Sequence, residues 1–289
     1  MSLDYDFEKK ECRWKALPGE GPALEAGLAS EAERAGNGSL LPGIRQLDRG
    51  CDFYAPQTFC DENGRRILIG WMGIPDAGYT NPTTENGWQH ALTLPRQLRL
   101  KNGKMIQTPL KELEGLRCSE ERFTFPADCA AGREEGSLSG CAAGSLSAPA
   151  ADSVIAAGAG LCYEAELDFE RCESLCLTLR RGVKLLYKKD NMEQNGKSET
   201  AGLLTLKLGQ AGSGRPDRSV YLDGLKDLRI YSDASSLEIF VNGGEEVFTT
   251  RVYGTKPEWR IEGECRGTGR CFRLGTFKIE ERKEHGCGE

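Results

Sequence analysis

The chain has 289 residues, 38% hydrophobic and 28% charged, enough apolar side chain for a core and enough length for two ordinary domains, which excludes disorder throughout. Its formal charge of −6, with Lys and Arg scattered rather than striped, excludes a field suited to phosphate backbones, so nucleic acid is not an expected partner. No run approaches the roughly 20 apolar residues of a membrane helix, and no basic segment leads into an apolar stretch at the N-terminus as in a signal peptide.

These features predict a cytoplasmic chain that does not cross a membrane. The 12 Cys sit in apolar or alternating runs such as Leu175-Cys176-Leu177, so most are expected to be reduced core residues and not a disulfide framework. Zinc ligands come in tight pairs. Here Cys172 and Cys176 are four apart, Cys265 and Cys271 six apart, and His90 and His285 are the only histidines, so no metal and no cofactor are expected.

In chain order, Tyr5 to Trp14 alternates like a strand. Residues 16 to 45, rich in Ala, Glu, Gly and Pro, lack a period of two and predict a surface insertion, with a short helix around Ala23 to Ala35. From Gln46 to Leu116 the pattern is β. Phe53 to Phe59 is a mixed run, and Arg66 to Met72 is a continuous apolar strand entered from the turn Asp61-Glu62-Asn63-Gly64. Short strands follow at Ala91 to Leu94, Gln97 to Leu100 and Met105 to Gln107, the last two joined through Lys101-Asn102-Gly103-Lys104. Pro109 to Leu116 is helix-compatible and reads as a linker.

Pro126 to Gly160, dominated by Ala, Gly and Ser, predicts mostly loop. Strand-length alternation then recurs at 162–169, 174–180, 183–188, 203–208, 219–222, 228–232, 237–241, 247–253 and 273–279, which predicts a β-sandwich. The clearest hairpin runs from Ser236 to Phe248 around Asn242-Gly243, with Leu237, Ile239 and Val241 on one face.

Three stretches carry a resemblance. They are Leu47-Asp48-Arg49-Gly50-Cys51-Asp52-Phe53-Tyr54-Ala55-Pro56-Gln57-Thr58-Phe59 with Gly64 to Met72 behind it, then Gly87-Trp88-Gln89-His90-Ala91-Leu92-Thr93-Leu94-Pro95-Arg96, then Leu228 to Asp233 through Ser236 to Gly243. In this order they resemble glycoside hydrolase family 32, the invertases, inulinases, levanases and sucrose-6-phosphate hydrolases. The resemblance implies an all-β chain: the terminal portion of a five-bladed β-propeller followed by a C-terminal β-sandwich. Residues 1–116 would be the partial propeller, its last blade and part of the preceding one, interrupted by the insertion at 16–45, and residues 117–289 the sandwich.

The family pattern also places a nucleophilic Asp in Asn-Asp-Pro-Asn, a second Asp in Arg-Asp-Pro and an acid/base Glu in Glu-Cys-Pro. None of these motifs occurs here, and Glu11-Cys12 is followed by Arg13. Retaining glycosidases need two carboxylates about 5 to 5.5 Å apart, and neither is assigned in this sequence. What the resemblance implies is a C-terminal fragment of a retaining β-fructofuranosidase acting on sucrose or sucrose 6-phosphate, itself inactive. Its partners would be a fructoside in the complete enzyme, the missing N-terminal propeller half and, through residues 1 to 116, further copies of itself.

Asp52 and Tyr54, two apart, are expected on one side of a strand, the side that by resemblance faces the sugar funnel. Trp88 offers an apolar face and an N–H donor to a sugar ring. These three are the expected substrate-binding residues. Glu85 and His90 are expected at the surface, Arg96 to bind a carboxylate of a neighbouring strand with a sugar 6-phosphate as the alternative, and Glu238 to be solvated or paired across the junction with the sandwich. The alternative reading is a non-catalytic carbohydrate-binding or assembly β-sandwich module, since fold alone does not set function.

Overall fold

The structure is a computed structural model and describes residues 2–6, 11–15, 46–125, 160–194 and 197–276. The expected insertion at 16–45 and nearly all of the loose segment at 126–160 lie outside the described residues. At the N-terminus, β1 (Ser2–Asp6) and β2 (Glu11–Lys15) form an antiparallel hairpin with Leu3 opposite Trp14. The alternation read over Tyr5 to Trp14 therefore belongs to two strands, and Glu11 lies opposite Asp6.

A second compact unit spans Leu47–Glu289. It opens with β3 (Tyr54–Cys60), β4 (Arg66–Trp71), β5 (Arg96–Lys101) and β6 (Lys104–Pro109), an antiparallel sheet in the order of the chain. Local chemistry sets both tight turns. Asp61 accepts the backbone N–H groups of Asn63 and Arg65 at 3.0 and 2.7 Å, and Gly64 takes φ 72°. Asn102 and Gly103 both take positive φ, 51° and 75°, as a two-residue hairpin turn between twisted strands requires.

Ala91 to Leu94, expected as a strand, contributes only a bridge between Leu92 and Trp71. Thr93 N–H to Gly70 O at 2.9 Å and Met72 N–H to Ala91 O at 2.8 Å make that bridge, and the next donor, Leu94 N–H, turns away to the carboxylate of Glu238 at 2.6 Å. A 3-10 helix at Lys111–Leu116 then leads into β7 (Arg117–Phe125).

The remaining strands are β8 (Tyr163–Cys172), β9 (Ser174–Arg180), β10 (Val183–Gln194), β11 (Lys197–Lys207), β12 (Arg218–Leu222) and β13 (Asp227–Asp233). They are followed by β14 (Ser236–Val241), β15 (Glu246–Arg251), β16 (Arg260–Glu262) and β17 (Cys265–Leu274). One sheet runs β12-β11-β10-β9-β16 and the other β15-β14-β13-β8-β17-β7. Their facing sides make a single core that includes Leu167, Leu177, Leu185, Leu204, Ile230, Ile239 and Phe248. Each such side chain contributes about 2 kcal/mol of burial.

Alternation explains both faces of β14. Leu237, Ile239 and Val241 enter that core, while Phe240 turns outward and packs with Leu113, Tyr231 and Val247. This smaller cluster joins the outer face of the larger sheet to the segment between β6 and β7. The four-stranded sheet and the sandwich are thus parts of one compact unit, and the expected boundary at 116/117 lies within it, where β7 begins. The cysteines are not mostly core residues among those described: Cys172, Cys265 and Cys271 are buried, but Cys60 and Cys118 are exposed and Cys176 is half-buried on the face opposite Leu175 and Leu177.

Candidate functional site

Asp52 precedes β3 and is 1% exposed. Arg215 grips its carboxylate through Nε at 2.7 Å and Nη2 at 2.8 Å. The N–H of Arg251 at 2.8 Å and the hydroxyl of Thr250 at 3.2 Å donate to the same carboxylate. Burial works against the charge on Arg215, but Asp52 more than offsets it and raises the guanidinium above its ordinary value. The other donors of Arg215 go to Thr80 O at 3.0 Å, Gly212 O at 3.2 Å and Asn81 Oδ1 at 2.7 Å, with the Tyr79 ring 4.2 Å away. One ion pair therefore ties the segment before β3, the segment carrying Trp88 and a turn of the sandwich.

Tyr54 does not share the environment of Asp52. β3 begins only at Tyr54, so Asp52 lies before the strand and the period-two relation does not hold between them. Tyr54 is 47% exposed, its ring 6.1 Å from Trp71, whose other neighbour is His90 at 4.6 Å, edge-on. Gly73 makes room for that contact, since a Cβ there would lie 2.7 Å from Trp71 and 2.8 Å from His90. Glu85 is exposed as expected, whereas His90 is half-buried against Trp71.

Trp88 follows the 3-10 helix Pro82–Asn86, which ends at Gly87 with φ 79°. The indole is 45% exposed, and the buried guanidinium of Arg251 lies 5.0 Å from its ring centre. Arg251 is fixed by Ser235 O and Ser235 Oγ, both at 2.9 Å, and by Gln89 O at 3.4 Å. The structure thus links Asp52 to Trp88 through Arg251, whose N–H holds one and whose guanidinium backs the other. Arg215 and Arg251 escaped the sequence reading. The only trace of Arg251 was a charge at the end of an otherwise inward-facing strand.

Arg96 is fully buried and binds carboxylates, as its sequence context suggested. It donates to Asp48 at 3.0 Å through Nη1 and to Glu238 at 2.6 Å through Nη2, and Gln107 Oε1 accepts from it at 3.0 Å. Burial works against its charge, but Glu238 and Asp48 hold it charged. Of the two locations expected for Glu238, the buried pairing across the junction is the observed one. This cluster holds the Leu94-Pro95-Arg96 segment onto the sandwich and so fixes the far end of the connection that bears Trp88.

Residues 30–109 match the N-terminal domain of glycosyl hydrolases family 32, and residues 143–268 match that family's C-terminal domain. The sucrose-6-phosphate hydrolase of Staphylococcus xylosus is 37% identical over 224 residues, which is 73% of this chain and 38% of that protein. That of Bacillus subtilis is 31% identical over 210 residues, 72% of this chain and 38% of the relative. That of Salmonella typhimurium is 30% identical over 255 residues, 85% of this chain and 42% of the relative. Among solved structures, sucrose-6-phosphate hydrolase from Lactobacillus gasseri aligns with TM-score 0.60 and 23% identity over 79% of this chain and 42% of that one. Fructan 1-exohydrolase IIa from Cichorium intybus aligns with TM-score 0.60 and 17% identity over 83% of this chain and 51% of that one.

The chain belongs to glycosyl hydrolase family 32. Its fold is all-β, the terminal portion of the family's propeller, represented by the four-stranded sheet, followed by the C-terminal sandwich. It spans 38% to 42% of the length of those three curated relatives.

Proposed function

We propose that this chain is the C-terminal part of a retaining β-fructofuranosidase acting on sucrose or sucrose 6-phosphate. In this reading it supplies pocket wall and neither catalytic carboxylate. The observation that carries the reading is Trp88, a half-exposed indole held in place by the buried Arg251 and, through it, by Asp52. Such a ring offers one free apolar face to a sugar and an N–H to a hydroxyl. Tyr54 contributes a second half-exposed aromatic side chain with a hydroxyl. Asp52 acts as a positioning residue, because its carboxylate is buried and already engaged by Arg215, Arg251 and Thr250.

Completion of the pocket falls to an N-terminal propeller half or to a further copy of this chain. Every residue of β3 is exposed, including Phe59, and Leu92, Leu100 and Met105 add apolar surface to the same sheet. An exposed edge of this kind favours association, and light scattering on the purified chain tests it: a monodisperse monomer contradicts it. A cytoplasmic location is part of the proposal. No described helix is long and apolar enough to cross a membrane.

Titration of the chain with sucrose and sucrose 6-phosphate, followed by NMR on the indole N–H signals, tests the pocket wall. The signal lost in Trp88→Phe is expected to move on addition of either sugar. Ligand shifts confined to other residues, or none, contradict the assignment.

A further inference from the structure

Strands β8 and β17 run antiparallel, and their register sets Cys172 directly opposite Cys265. The adjacent pair, Glu173 and Glu264, is joined by the Glu173 N–H to Glu264 O hydrogen bond at 2.9 Å. Hydrogen-bonded and non-hydrogen-bonded pairs alternate along an antiparallel ladder, so Cys172 and Cys265 occupy the non-hydrogen-bonded position, where Cα atoms approach to about 4.5 Å and side chains are closest. Disulfides span Cα separations of about 4.4 to 6.8 Å, so this site needs no backbone movement. Both side chains enter the sandwich core, at 8% and 2% exposure. Among the described cysteines no other two are register partners.

We infer that Cys172 and Cys265 are a disulfide-forming pair that staples the end of β8 to the start of β17. The nearness of the two sulfurs pushes the Cys172 thiol up and pulls that of Cys265 down. Cys265, the first residue of β17, makes the first attack, and attack from either sulfur gives the same disulfide. Its neighbours Gly263 and Glu264 are exposed, so the reacting end of β17 lies beside solvent.

The oxidant is a low-molecular-weight disulfide. The Cys265 thiolate attacks one of its sulfurs, breaking that S–S bond, and the departing thiolate takes up the proton Cys265 has lost. Cys172 then loses its proton and attacks the Cys265 sulfur, expelling the second small thiolate, which that proton neutralises. Two electrons pass from the pair to the small disulfide. One S–S bond forms in the protein, and two small thiols are released.

Oxidised glutathione is the probe. The full chain is incubated with it under native conditions, its remaining thiols are blocked with N-ethylmaleimide, and it is digested with trypsin. The expected product is peptide Cys172–Arg180 linked to peptide Ile261–Arg266. It should form in the unaltered chain and in Cys176→Ser, and be absent from Cys265→Ser. The Tm of the oxidised chain should exceed that of the reduced chain by about 5 °C or more. Absence of the linked peptide, linkage to another cysteine, or linkage that leaves Tm unmoved or lowered overturns the inference. Should Cys265→Ser not fold, the unaltered chain and Cys176→Ser decide the question.

Discussion

Arg96 and Glu238, 142 positions apart in the chain, meet in a fully buried ion pair with Nη2 and Oε2 2.6 Å apart. Asp48 is the second carboxylate on the same guanidinium. Removing the cation leaves two buried carboxylates with no countercharge. Arg96→Met is therefore expected to lose about 3 to 5 kcal/mol, read as a lower urea midpoint at unchanged slope. Adding Glu238→Gln and Asp48→Asn should recover part of that loss, because both orphaned charges are then gone.

The expected pocket residues divide sharply by burial, and stability measurements should divide the same way. Asp52→Ala strands Arg215 inside the protein and should cost about 3 to 5 kcal/mol. Tyr54→Ala and Trp88→Ala remove half-exposed rings and should each cost about 1 kcal/mol or less. Equal losses from all three would mean that Tyr54 and Trp88 are core residues and not pocket wall.

Glu164 is fully buried on β8, where Arg117 donates at 2.6 and 2.8 Å, Arg229 at 2.7 Å and Tyr231 at 2.9 Å. Burial pushes its carboxyl up, but the donors from Arg117, Arg229 and Tyr231 win and hold it below the ordinary value of 4.5. A depressed folded-state pKa stabilises the fold above the unfolded value, and that stabilisation is lost as pH falls through the folded value. Acid titration of the urea midpoint should show this loss below pH 4.5. Glu164→Gln should remove that share of the acid limb and cost about 3 kcal/mol at neutral pH.

Gly244 sits in the β14–β15 turn at φ 89°, and a Cβ there would lie 1.8 Å from the carbonyl oxygen of Gln107 on β6. The bare backbone is what lets the hairpin tip touch the four-stranded sheet. Gly244→Ala should cost about 2 kcal/mol or more, adding left-handed strain to a clash with backbone. Gly243→Ala shares the left-handed φ but meets no atom within 4 Å, so it should cost less. Thermal unfolding of both variants compares them.

Much of the fold was legible because alternation is a local property. β9 coincides with the run read at 174–180, and β14 with the one at 237–241 to within a residue. β7 gave no signal: four of its nine residues are charged, Phe123 and Phe125 being its large apolar members, as suits an edge strand. β17 was expected at 273–279 but runs from Cys265 to Leu274. Its inward positions include Gly267 and Gly269, which leave room for the rings of Phe125 and Phe123, so the apolar rhythm is missing from β17 itself.

The site was legible in part. Arg96 was expected to bind a carboxylate and does, and for Glu238 the paired one of two expected locations is observed, since a buried charge must find a partner. Asp52 and Tyr54 were expected on one strand face, but the strand begins only at Tyr54 and Asp52 is held before it by Arg215, a boundary that residue types do not reveal. Arg215 lies 163 residues from Asp52, and Arg251 lies 199 away. No local pattern announces partners so distant.

Assay of the purified 289-residue chain for fructose release from sucrose and from sucrose 6-phosphate tests the central claim most directly. No release is expected from either sugar, because the motifs that carry the nucleophile and the acid/base in the family are absent from this sequence. Release that is abolished by substituting one Asp or Glu of this chain would contradict it and place a complete active site within these residues.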